Sequence, residues 1–143
     1  MTETGQRSRR ESRERAIELG YEAEVRHWSI DELLASLAVA PDDFAIGLLR
    51  SAEQHRDRAD ELISAASTRW SLSRMPLLDV VVMRQAVAEL LDGDTPTGVV
   101  LSQAVELAGR YSTDGSGRFV NGILATIAKD LDAKTEDNTD PVA

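Results

Sequence analysis

Apolar residues recur along this chain at spacings of three and four, and no stretch alternates apolar with polar residues as a half-buried strand would. Ser8 and Glu11 stand at capping-box spacing ahead of a helix that should run to about Glu24. Its apolar stripe is Ala16, Leu19, Gly20 and Ala23, with Ile17 and Tyr21 beside it. Ser29 and Glu32 repeat the capping spacing, and behind them Ile30, Leu33, Leu34, Leu37 and Ala38 trace the cleanest amphipathic face in the chain. Pro41, Asp42 and Asp43 suit the first turn of a third, long helix, where proline lacks only an unpaired donor and acids meet the positive end of the dipole. The core face of that helix would be Phe44, Leu48, Ala52, Ala59, Leu62, Ile63 and Ala66.

The segment from Arg69 to Met75 reads as a turn or one short helix. Pro76 then opens a helix that is apolar on most sides, from Leu77 and Leu78 through Val87 to Leu91, so it should lie centrally. Val80 to Val82 could form a strand by propensity, but the pattern runs on through Ala86, Ala88 and Leu91, which favours helix. Gly93 supplies a stop, and Asp94-Thr95-Pro96 a turn into a helix striped by Val99, Leu101, Ala104, Val105, Leu107 and Ala108. A glycine-rich loop from Ser112 to Gly117 precedes a last helix carrying Phe119, Val120, Ile123, Leu124, Ile127 and Leu131. From Asp132 the chain has little to bury. The expectation is an all-α bundle of six or seven helices in one domain, residues 8–131, between a flexible N-terminus (1–7) and a disordered acidic tail (132–143).

Composition narrows the chemistry. At 143 residues the chain suffices for one core, and the absence of cysteine excludes disulfides and thiolate sites. No apolar run is long enough to cross a bilayer and the first residues are polar and arginine-rich, so a cytoplasmic protein without membrane contact is expected. His27 and His55 stand apart from each other and from any ligand-spaced carboxylate, so no metal, no cofactor and no histidine-based catalysis is expected, and the protein is read as no enzyme.

Charge complicates that picture. The net charge of −9 argues against nucleic acid, whose phosphates an acidic surface repels. Yet Arg7, Arg9, Arg10, Arg13 and Arg15 fall within nine residues against only Glu11 and Glu14, a local balance of +3. On a helix Arg9 and Arg13 share a face, with Arg10 about 100° away. Such a cluster can grip successive phosphates. It can equally be a solvated face laced by Arg10–Glu14 and Glu11–Arg15 pairs, and the residues alone divide the two readings evenly. Among the aromatics, Phe44, Tyr111 and Trp70 are expected in the core, whereas Phe119, directly after Arg118 at the start of the last helix, suits a base platform. Asn121 suits either an RNA contact or a brace between helices, and Gly122 a close helix approach.

Three blocks in order then resemble the NusB family. The first is Arg9-Arg10-Glu11-Ser12-Arg13-Glu14-Arg15-Ala16 with Leu19-Gly20-Tyr21 behind it. The second is Trp70-Ser71-Leu72-Ser73-Arg74-Met75, followed by Asp79, Met83-Arg84 and Glu89-Leu90-Leu91. The third, and most specific, is Pro96 and Ala104-Val105-Glu106-Leu107-Ala108 with Arg118-Phe119-Val120-Asn121-Gly122-Ile123-Leu124. Glu11 within the arginine tract, Ser102-Gln103, Ala88, and the pair Gly115 and Gly117 depart from the usual pattern.

The resemblance implies two small helical subdomains. It further implies binding to the single-stranded boxA element of ribosomal RNA leaders together with NusE, a small-subunit ribosomal protein, in a complex that carries RNA polymerase through terminators. Arg7, Arg9, Arg10, Arg13, Arg118, Phe119 and Asn121 are the RNA-binding residues it suggests, and Asp79 matches a position facing NusE. Arg84 and Glu89 read better as structural ion pairs. If about three to five arginines neutralise phosphates, log K should fall against log salt with a slope of roughly −2 to −3.5. Two alternatives stay open: a protein-binding scaffold of the same fold with weak or lost RNA binding, and a homodimer that covers the RNA face, as some relatives form. A fragment of an RNA methyltransferase is disfavoured, since no glycine-rich cofactor loop follows a strand.

Overall fold

A computed structural model describes the backbone of residues 2–138 and the side chains of residues 9–134. Among these, seven α-helices and one 3-10 turn occur and no strand: α1 (Thr2–Arg26), α2 (Ile30–Ser36), α3 (Asp43–Gln54), α4 (Arg56–Ala66), the turn Leu72–Arg74, α5 (Leu77–Asp92), α6 (Thr97–Tyr111) and α7 (Ser116–Asn138). The all-α expectation holds, including helix through Val80–Val82. No helix among the described residues is long and apolar enough to cross a membrane.

Local chemistry accounts for most boundaries. Ser29 and Glu32 form the expected capping box, with Glu32 N donating to Ser29 Oγ at 3.1 Å and Ser29 N to Glu32 Oε1 at 3.0 Å. Asp42 caps α3 from outside, accepting from Ala45 N at 2.8 Å. Gly93 ends α5 at φ +76°, a left-handed conformation that suits glycine. His27 takes the same role at φ +57° without that freedom, and Trp28 N closes the end of α1 on Ala23 O at 2.9 Å.

Three boundaries differ from the sequence reading. Ser8 lies inside α1, whose backbone is helical from Thr2, rather than at its cap. The expected third helix is two: His55 breaks it between α3 and α4. The unbroken polar run Glu53 to Arg58 supplies no apolar anchor there, so each half turns its face to a different core. At the other end, α7 continues to Asn138, beyond its last apolar stripe position at Leu131. The rest of the expected acidic tail, 139–143, lies outside the described residues.

There are two cores. Ala16, Leu19 and Ala23 of α1 pack with Ile30, Leu33, Ala45, Leu48 and Leu49 of α2 and α3. The larger core joins α4, α5, α6 and α7, with Ile17 reaching in from α1. Helix α5 is buried from Asp79 to Glu89, Arg84 alone excepted, which is the central placement its composition requires. Met83 is fully buried at the middle of that run, with Val80, Val82 and Val87 of the same helix beside it in the core. Helix α1 crosses α5 closely at Gly20, where a Cβ would already stand 3.4 Å from Val81 Cγ1.

Ion pairs tie the two cores together. Arg84 on α5 donates to Asp60 of α4 from Nε and Nη2 at 2.7 and 3.0 Å, and to Glu24 of α1 at 3.2 Å. Arg56 also pairs with Glu24. Burial works to raise the Glu24 pKa, but the two guanidinium groups outweigh it and hold the carboxyl below its ordinary range. Arg84 is thus a structural ion pair, as its position suggested.

Candidate nucleic-acid interface

The arginine tract of α1 divides according to helix register. Arg13 lies one turn before Ala16 and Ile17, on the inward stripe, and only 5% of it is exposed. Its Nε and Nη2 donate to the two carboxylate oxygens of Glu89 on α5 at 3.1 and 2.9 Å. Its guanidinium also lies 5.3 Å from the Phe44 ring centre. Arg13 was expected to hold phosphate; its charge is instead answered inside the protein, and releasing it would leave Glu89 buried and unpaired. The sequence carried the signal, since one helical turn back from Ala16 lands on Ser12 and Arg13.

Arg9 and Arg10 point outward. Arg9 is exposed, makes no ion pair among the described residues, and rests its guanidinium 5.1 Å from the Phe44 ring centre. Arg10 is half exposed and donates from Nη2 to Glu106 of α6 at 2.6 Å. With Thr95, Pro96, Val99 and Gln103 these arginines line an open groove of about 340 Å³ between α1 and the start of α6. The local pairs Arg10–Glu14 and Glu11–Arg15 are not formed: Arg15 meets Glu18, and Glu14 meets Arg110 at 3.5 Å. The side chain of Arg7 lies outside the described residues.

The second group sits at the start of α7. Gly115, at φ +85°, turns the chain out of the loop, and Gly117 lets α7 approach α6 so closely that a Cβ would stand 3.3 Å from Val105 O. Arg118 is exposed and unpaired among the described residues. Phe119 is half-buried, one side on the larger core and its ring centre 5.3 Å from that of Trp70 at a tilt of 46°. Asn121 is exposed and its amide bonds to no described residue, so it braces no helices. Gly122, expected at a close helix approach, faces open space. Arg118, Asn121, Gly122 and Ala125 therefore form one exposed face of α7 with little bulk above it.

Helix α6 stands between the two groups. It meets α1 through Glu106 and Arg110 and α7 through Val105 and Gly109, faces about 100° apart. Arg110, which the sequence reading did not single out, lies along the path with its guanidinium 5.8 Å from the ring centre of Tyr111.

Asp79 does not face a partner. It is 1% exposed, and its Oδ2 accepts from Ser116 Oγ at 3.0 Å, placing the carboxylate under the first turn of α7. Its Oδ1 has no hydrogen-bond partner among the described residues. Two aromatics expected in the core are also displaced: Trp70 is 48% exposed and Tyr111 42%. Trp70 follows α4 on an irregular segment, where helical periodicity says nothing about which way a side chain points.

Comparison with known proteins agrees with this architecture. The model of the NusB family matches residues 10–129. The transcription antitermination protein NusB of Anaeromyxobacter dehalogenans (strain 2CP-1 / ATCC BAA-258) is 41% identical over 135 residues, covering 90% of this chain and 94% of that one. That of Salinispora arenicola is 41% identical over 130 residues, covering 85% and 96%. Among solved structures, T. maritima NusB superposes with a TM-score of 0.75 at 35% identity, covering 85% of this chain and 91% of that one. A structure of the antitermination factors NusB and NusE in complex with double-stranded RNA gives a TM-score of 0.72 at 27% identity, covering 87% and 98%.

Proposed function

The chain belongs to the NusB family, and from that premise we propose that it is an RNA-binding transcription antitermination factor acting with NusE on boxA-type RNA of ribosomal leader transcripts. In this reading it joins the antitermination complex on RNA polymerase and helps the polymerase read through terminators. The observation that carries the RNA assignment is the outward state of Arg9 and Arg118, unpaired among the described residues, in a chain of net charge −9. An acidic protein that leaves chosen arginines without acid partners keeps local fields that attract phosphate.

The roles follow from position. Arg9 and Arg10 hold phosphates along the groove beside Thr95 and Gln103. Arg118 and the first amides of α7 take a phosphate at the other group, Phe119 offers a face to an unstacked base, and the Asn121 amide reads a base edge. Arg13 is a positioning residue, fixing Phe44 beneath Arg9. Arg7 remains a phosphate contact in this proposal, while Asp79 no longer serves as a NusE contact. Because the remainder is acidic, full affinity depends on a basic partner, the part assigned to NusE.

A second reading has one observation in its favour: Glu106 already answers the charge of Arg10. That suits a helical scaffold, or a homodimer covering this face, with weak RNA binding. A titration with boxA-type single-stranded RNA, with and without NusE, separates them. The antitermination reading expects binding that NusE tightens and that Arg9→Ala with Arg118→Ala removes at unchanged helicity. No binding in either condition would leave the scaffold.

A further inference from the structure

Around Trp70 lies a feature that the resemblance does not assign. Ser67 Oγ donates to Trp70 O at 2.6 Å and accepts from Trp70 N at 3.4 Å, so the segment after α4 is tied into a fixed loop. The indole packs against Phe119 with one side and leaves nearly half its surface to solvent. Burying that ring would have been favourable, so its fixed presentation at the surface calls for an occupant.

Charge identifies the chemistry of the occupant. Among the described arginines only Arg9, Arg69, Arg74 and Arg118 make no ion pair. Arg69 adjoins Trp70, Arg118 adjoins Phe119, and Arg74 closes the 3-10 turn one step on; all three are exposed. Nearby, Asp79 is buried and Asp114 makes no ion pair among the described residues. An exposed indole packed on Phe119, with Arg69 and Arg74 on its own connecting segment and Arg118 next to Phe119 in the chain, suits bases and phosphates. An apolar protein surface would desolvate those charges with nothing in return.

We propose that Trp70 and Phe119 form a paired base-stacking platform for single-stranded RNA, with Arg69, Arg74 and Arg118 holding the flanking phosphates. The RNA track then continues past the start of α7 onto the connection between α4 and α5. This rests on the RNA-binding reading above and extends it to residues on a different segment of the chain.

The full chain with Trp28→Phe leaves Trp70 as its single tryptophan and so a direct reporter. Titration with a boxA-type oligoribonucleotide should quench its emission saturably, with the same Kd as anisotropy of the labelled RNA. Trp70→Ala should weaken binding about 5- to 100-fold at an unchanged salt slope, with Trp70→Phe recovering most of it. Arg69→Gln with Arg74→Gln should shrink the slope by about 1.4. Unquenched emission together with wild-type affinity in these variants overturns the platform while RNA binding itself stands. Absence of RNA binding by the wild type, with and without NusE, overturns both. A shift of Trp70 emission by NusE alone, with Trp70→Ala losing NusE but not RNA, overturns the platform in favour of a protein contact.

Discussion

The arginine tract of α1 and the surface around Trp70 and Phe119 make opposite use of the same side chain. In the tract, arginines crowd together in sequence, yet Arg13 is buried against Glu89, Arg10 meets Glu106 and Arg15 meets Glu18, which leaves Arg9 as the tract's one described arginine without an acid partner among the described residues. Around Trp70, two arginines from the connection between α4 and α5 and one from α7 stay without acid partners among the described residues. Density of charge along the chain is therefore a poor guide to charge available to a ligand. What counts is whether a carboxylate reaches each guanidinium, from another helix as for Arg10 and Arg13 or from the next turn as for Arg15.

The largest effect that tests this contrast is on Arg13. Arg13→Ala strands the Glu89 carboxylate in a buried site, and unfolding in urea should show a loss of about 3–5 kcal/mol. Replacing both partners, Arg13→Met with Glu89→Leu, should recover most of it, since a well-packed apolar pair escapes the desolvation penalty. A fully stable Arg13→Ala protein with weakened RNA binding would return Arg13 to the RNA surface and erase the distinction between the two regions.

Next in size are the exposed groups. Phe119→Ala should weaken RNA binding about 5- to 100-fold through lost stacking, measured by anisotropy at fixed salt. Arg9→Gln and Arg118→Gln should each reduce the slope of log K against log salt by about 0.7, whereas Arg10→Gln should change it less because Glu106 already neutralises it. Equal slopes for Arg9→Gln and Arg10→Gln would mean that the Glu106 pair opens when RNA arrives.

Much of the fold was legible in the residues alone. The capping box at Ser29 and Glu32, the stop at Gly93 and the central α5 all rest on local chemistry, and each stands where the pattern put it. The break at His55 was visible only as a polar run, because the apolar period resumes in phase on its far side. Irregular segments were the blind spot. Trp70 lies on one, so neither its exposure nor its contact with Phe119 follows from periodicity. Asp79 failed differently: its helix was clear, but the partner that buries it, Ser116, comes from a helix far along the chain.

The smallest effect concerns Gly122, on the exposed face of α7 beside Asn121. A Cβ there would meet nothing within 4 Å, and the glycine lies well inside α7. Gly122→Ala should therefore stabilise the protein by about 0.5–1 kcal/mol, through the lower backbone entropy of alanine in a helix interior. Its added methyl group is small, so RNA affinity should stay within about twofold. A longer side chain separates packing from binding: Gly122→Gln should keep the stability gain while projecting over the path between Arg118 and Asn121. If RNA affinity then falls with no loss in thermal stability, the bare face of α7 is part of the track. If affinity is unchanged, the RNA keeps to the Trp70 side of Phe119, and glycine at this position serves neither packing nor recognition.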